Sequence, residues 1–207
     1  MARPLETEKR LDLALRATEV LQREGLEISM TRLAEALGIK RPTLLYHFPT
    51  RGHVVIAALE GILLEQSGFV MKRISEHDHP IDRLYARVTA IHEFHEGRED
   101  RIVFLTQALS TVGDERLKET IEVGNRVFAA HRKAQAELVR HGIARGLVKP
   151  CDVDALMALV RSLSDGLLLT RVMTGVPYAP VHRFLWQHVL EPLKTTPETT
   201  TSTNDGE

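Results

Sequence analysis

A single cysteine, Cys151, among 207 residues excludes an internal disulfide. Such scarcity fits a reducing cytoplasm, where the chain is expected to reside. Cys151 stands between Pro150 and Asp152 at a helix start, and it reads as a bystander thiol. No apolar run in the sequence approaches the roughly 18 residues of a membrane span. The opening MARPLETEKR has no apolar stretch after its charges, so no signal peptide and no membrane association are expected. No stretch shows sustained strand alternation, and no repeat of 20–50 residues is present. A Gly-rich phosphate loop, a nucleophile elbow and a Cys-x-x-Cys pair are all missing, which removes several common enzyme chemistries. Excess charge is missing too: the net charge is −1, so the chain as a whole is no polyanion binder.

What is present is enough for a folded core, with 43% hydrophobic and 27% charged residues. Charge is unevenly spread. Residues 1–51 carry nine Lys/Arg against seven Asp/Glu, whereas 195–207 carry three acids and no base. Apolar periodicity predicts an all-α protein of nine helices, three plus six. The first runs from about Glu8 to Glu24, with Leu11, Leu15, Thr18 and Leu21 inward, and Gly25 ends it. A fourth, capped by Thr50 and reaching about Glu76, would be a strut about 40 Å long. Gly61 and Gly68 within it mark either close approach of a neighbour or local weakness. The remaining helices are expected over 81–96, 101–112, 114–141, 152–174 and 181–193. The polar stretch 195–207 has no reason to fold.

The most informative stretch is Ser29 to Arg51. Ser29 is a plausible N-cap. Leu33, Ala34 and Leu37 turn one small apolar face inward, and Gly38 ends that helix where a left-handed residue is needed. Pro42 suits the first turn of the next helix. Leu44, Leu45 and Phe48 anchor that helix, and Pro49 stops it. Two short helices about a Gly turn are a helix-turn-helix pattern. It leaves Lys40, Arg41, Pro42, Thr43, Tyr46 and His47 outward, with Thr31, Arg32 and Arg51 at its edges: groups suited to phosphates and base edges of double-stranded DNA.

Gly38-Ile39-Lys40-Arg41-Pro42-Thr43-Leu44, followed by Tyr46-His47-Phe48-Pro49-Thr50-Arg51, resembles the DNA-binding signature of the TetR family of bacterial repressors. Leu45 stands where that family usually has a phosphate-contacting Tyr, and Lys40 where a capping Ser is common. The resemblance extends back to about Leu11; beyond Glu65 it is one of layout. It implies a DNA-binding domain over 7–50, an effector-binding and dimerisation domain over 51–194, a homodimer, and release from a palindromic operator by a small effector, which the apolar stripes of the later helices lead us to expect to be apolar. It implies no enzyme activity and no cofactor.

The later helices carry polar residues on otherwise apolar faces: His92, His95, Gln107, His131 and Gln135. Buried polar groups must be satisfied, by one another or by a ligand. These five, with Phe104, Phe128 and Met157 as apolar lining, are the expected effector pocket. The helix over 156–173 is apolar on more than one face and is expected to be buried from two sides. Leu163, Gly166 and Leu167, with Phe184, Leu185 and Val189 of the last helix, are the expected dimer contacts. Arg161 and Asp165 are expected to form an ion pair at an interface. A reading from another class is a small helical metal-dependent enzyme using His92, His95 and Glu96. The His77-Asp78-His79 loop reads as a solvated turn, not a metal site.

Overall fold

A computed structural model describes residues 4–111 and 114–195, with side chains from Glu8 onward except at 109–121, 123 and 126. The expected tail beyond Thr195 falls outside the described residues. The described chain is α-helical, with one isolated bridge between Val148 and Lys194. Its helices are α1 Pro4–Glu24, α2 Met30–Ala36, α3 Arg41–His47, α4 Arg51–Ser75, α5 Pro80–His95, α6 Glu99–Thr111, α7 Asp114–Ala144, α8 Val153–Thr174 and α9 Tyr178–Leu185. The last helix does not continue regularly to Leu193. It widens into a π turn over Trp186–Leu190 and tightens into a 3₁₀ turn over Glu191–Leu193, where Pro192 lacks an N–H.

The turn between α2 and α3 is set by local chemistry. The Ser29 hydroxyl accepts from the Arg32 N–H at 3.2 Å. At the other end Gly38 adopts φ +68°, its N–H reaches the Glu35 carbonyl, and the Ile39 N–H reaches the Ala34 carbonyl. That pair of bonds is a Schellman closure, which favours glycine at this position. Arg16 of α1 ties the same corner by donating to the Leu37 carbonyl at 2.6 Å.

Three apolar cores follow one another along the molecule. The first joins α1, α2 and α3 through Ala17, Leu21, Leu33, Leu44 and Phe48 to the N-terminal half of α4, and adds Phe94 and Phe104. The α1 face differs from the expected one. Thr18 and Leu21 are buried, whereas Leu11 is exposed and Leu15 only half-buried, both beside Gly61 of α4. There Gly61 has no side chain to obstruct them: a Cβ on it would stand 2.8 Å from Leu15 Cδ2. Gly68 has open space around it, so close approach explains one glycine of α4 and not the other. The second core, around Val70, Ile91, Ile102, Leu168 and Tyr178, joins the distal half of α4 to α5, α6 and α8. The third, around Ile81, Val88, Val139, Val160 and Leu185, joins α5, α7, α8 and the C-terminal turns.

By length and mean hydropathy, 1.6 over its most apolar window, α4 alone among the described helices could cross a membrane, which the expectation of no such run overlooked. In the fold 56% of that window is buried, chiefly against α1 and α5, as in a core helix.

Candidate DNA-binding surface and effector cavity

Leu44 and Phe48 are fully buried and fix α3 on the first core. That leaves Arg41, Pro42 and Thr43 exposed at its first turn and Tyr46, 71% exposed, one turn later. Lys40 occupies the N-cap with no side-chain cap bond, so its ammonium is not engaged there. His47 and Leu45 are half-buried, and Thr31 is exposed on α2. Arg32 and Arg51 are held by acids of the same domain. Arg32 meets Glu24 at 3.0 Å, and Arg51 meets the Glu27 carboxylate at 2.8 Å and its carbonyl at 3.0 Å. The hydrogen bonds from Arg23 and Arg32 hold the Glu24 carboxyl below its usual range. Thr50 takes the N-cap position of α4, but its hydroxyl pairs with His53 Nδ1 at 2.7 Å instead of capping the backbone.

A cavity of about 590 Å³ lies among α4, α5, α6, α7 and α8, a size suited to one small ligand. His95, Phe128, His131 and Gln135 line it, together with the unanticipated Gln66 and Ser67 of α4. His95 Nε2 lies 3.1 Å from Gln66 Oε1 and donates to it, since that oxygen can only accept. His95 Nδ1 and Gln135 Nε2 are buried without partners among the described residues. Burial first, then the charges of Arg101, His92 and Arg98, lowers the His95 pKa to about 4.

Four expected pocket residues lie off this cavity. Phe104 is buried in the first core. Met157 packs into the third. Gln107 is exposed on α6. His92, three residues before His95, is turned toward α8 and α9. Its Nε2 donates to the Ser164 carbonyl at 3.0 Å, so its Nδ1 accepts from His182 Nε2 at 2.7 Å. Its ring also stacks on Tyr178, with centroids 4.6 Å apart. Burial lowers the pKa of His92, and that of His182 to about 4. His92 and His95 therefore serve different neighbours, and Glu96 is exposed beyond them. Among the described residues no cluster of three or more His, Cys, Asp or Glu side chains could hold a metal ion. His79 serves the fold, since its Nδ1 caps α5 by accepting from the Ile81 N–H at 3.2 Å. Burial raises the pKa of the Cys151 thiol, opposite to what a reactive thiol needs.

The sequence reading also missed four cavity arginines as such: Arg83 and Arg87 of α5, Arg132 of α7 and Arg161 of α8. Arg161 does pair with Asp165, at 3.5 Å, but both border the cavity. The available signal was the spacing Arg83, Arg87, Ile91, His95, which places one residue per turn on a single face of α5.

No protein-family model matches this chain, and no curated protein matches it. Solved structures do. The TetR-family regulator PfmR from Thermus thermophilus is 20% identical, covering 88% of this chain and 99% of that one, with a TM-score of 0.62. The regulator FadR from Bacillus subtilis, in complex with stearoyl-CoA, is 17% identical over 91% and 98%, with a TM-score of 0.68. A TetR-family regulator from Cytophaga hutchinsonii is 14% identical over 95% and 100%, with a TM-score of 0.73. The chain has the fold of the TetR-family transcriptional regulators.

Proposed function

We propose that this protein is a ligand-responsive, DNA-binding transcriptional repressor that acts as a homodimer in the cytoplasm. The observation that carries the reading is the double membership of α4. Its first half belongs to the core that positions α3, and its second half walls the cavity. On this reading residues 7–50 contact DNA and 51–194 hold the effector and the dimer contacts. An occupant that prefers a shifted α4 lowers DNA affinity, and DNA lowers the occupant's affinity by the same factor. The stearoyl-CoA bound to the Bacillus subtilis regulator supports the idea that a fold of this kind accepts a small amphiphile.

The dimer is assigned to the outer faces of α8 and α9. Leu159, Leu169 and Met173 are exposed on α8, Phe184 is 62% exposed on α9, and Gly166 lies exposed between them. Leu185 and Leu167, expected in the interface, are buried inside the protomer, and Leu163 and Val189 are half-buried against the third core. Side-chain periodicity on a helix apolar all round does not say which face meets the partner. An exposed patch of this kind marks an association surface.

Selection of bound sequences from random duplex DNA tests the reading. The expected product is a palindrome whose half-sites fit two recognition helices in successive major grooves, with binding that weakens steeply as salt rises. Absence of any enriched sequence at low salt would overturn it.

A further inference from the structure

The arginines at the cavity have no role in the fold described so far. Arg87 is half-buried at the cavity wall, and among the described residues its guanidinium makes no hydrogen bond or ion pair. Arg83 is different: it donates to the His77 carbonyl at 2.6 Å. Arg132 donates to Asn125 at 3.0 Å, and Arg161 is shared with Asp165. Among the described residues the carboxylate of Asp165 is the one acid lining the cavity, against four arginines. Burial, and then the charge of Arg132, works against the positive charge of Arg87. A half-buried arginine beside like charges, with Asp165 as the one acid nearby, is a ready partner for an anion that enters the cavity. DNA is not that anion. These arginines come from α5, α7 and α8, none of which is part of the helix-turn-helix.

The rest of the cavity wall has the opposite character. From Arg87, α5 presents Ile91 and then His95, eight residues or about 12 Å onward. Val70, Ile102, Leu105 and Phe128 continue this apolar part. Gln135, one turn along α7 from Arg132, adds an N–H₂ donor, unpartnered among the described residues, beside the cations. The cavity thus joins a cluster of donors with excess positive charge to an apolar wall, which runs on to the His95–Gln66 pair and Ser67.

We propose that the ligand of this cavity is an anionic amphiphile, its carboxylate or phosphate head held by Arg87 and Arg132 and its hydrocarbon tail laid along α4 toward His95. This deepens the effector reading and rests on it for its regulatory meaning, but it concerns binding alone. Arginine suits both head groups, because its planar fork meets two oxygens at once.

The test is titration calorimetry of the full-length protein without DNA, using myristic acid, tetradecyl phosphate and 1-tetradecanol. The three share one chain length and differ in the head. At least one acid should bind at least about tenfold more tightly than the alcohol, the scale of one or two charge-assisted hydrogen bonds. The tighter acid identifies the head group. Arg87→Gln should remove that advantage and leave the alcohol within about twofold. Arg132→Gln, at a less buried site, gives a second variant if the first is poorly folded. Added salt should weaken the acid and spare the alcohol. Equal binding of all three, no binding of any, or an equal loss for acid and alcohol in both variants would overturn the assignment. Those results leave the DNA selection untouched, so failure here and failure of the repressor reading are told apart.

Discussion

Acid should destabilise this protein through His95. The ring is 1% exposed, gives its one N–H to Gln66, and has no partner at Nδ1 among the described residues. Its folded pKa is about 4, whereas an unfolded chain offers a value near 6.5. The unfolded state therefore takes up the proton first. Stability is fully present above pH ~6.5 and falls as pH drops toward about 4, because the unfolded state binds more protons across that window. Between pH 8 and pH 5 the linkage amounts to about 2 kcal/mol for this residue alone. His182, also held at about 4, adds to the same slope, by less because it is partly exposed to solvent.

The informative substitution is His95→Gln. It keeps a donor for Gln66 and removes the titration, so stability at pH 8 should stay near wild type while the acid slope flattens. The assay is urea unfolding at pH 8, 7, 6 and 5, at one protein concentration, since a dimer's midpoint depends on concentration. Wild type should lose about 2 kcal/mol more than the variant between pH 8 and pH 5. If the two lose the same free energy, the neutral, solvent-excluded His95 described above is wrong.

Three further outcomes are expected. Arg41→Ala should cost roughly 1–3 kcal/mol per half-site and relax preference at one symmetric G·C position, measured on operators changed base by base; an equal loss on every sequence would mean that Arg41 touches only phosphate. Phe184→Glu with Met173→Glu should give a folded monomer by sedimentation, whereas Leu185→Glu should unfold the protomer, since Leu185 is 1% exposed. Gly68→Ala should stabilise by up to about 1 kcal/mol in thermal unfolding, having open space and a helical backbone, while Gly142→Ala should destabilise, because a Cβ there meets Val148 Cγ2 at 2.8 Å and Pro80 Cγ at 3.0 Å.

How much of this was legible in the sequence depends on the range of the interaction. The α2–α3 unit was readable because its determinants are local: a Ser cap, a left-handed Gly, a Pro at the next helix start and anchors within one turn. The cavity was half readable. Polar residues interrupting an apolar stripe pointed to His95, His131 and Gln135, which the structure brings to one cavity. The same rule selected His92, and there it met its limit. Three residues along a helix leave two side chains about 60° apart, which at a crowded helix is enough for one ring to meet α4 and the other α8 and α9. The arginines were hidden for the opposite reason. An Arg at regular spacing on a helix reads as solvated surface, and nothing within α5 or α7 alone says that the surface is an inner wall. Only the closing of α4, α5, α7 and α8 puts Arg87 and Arg132 on one cavity.

That closing also limits how a signal could travel. The cavity ends of α4 and α5 are joined through the short 76–79 loop, which Arg83 clasps at the His77 carbonyl. An anion drawn onto Arg87 acts one turn from that clasp, so its pull falls on the far end of α4. At the near end, α1 touches α4 at Gly61, where a methyl group would meet Leu15 Cδ2 at 2.8 Å and the leucine side chain would have to shift. Contact that tight tolerates rotation of α4 poorly, and α1 carries Arg16, which holds the turn before α3. A rigid α4 thus reaches the recognition helix without melting both directly, through the core it shares with Leu44 and Phe48, and through α1, which must move with it. A branched side chain at residue 61 would push Leu15 and Leu11 aside and loosen the α1–α4 contact. Gly61→Val should therefore leave ligand affinity in the absence of DNA near wild type while reducing the ligand's effect on DNA affinity. The measurement is operator binding with and without a saturating cavity ligand. An undiminished effect in a folded variant would mean that the coupling runs through another contact.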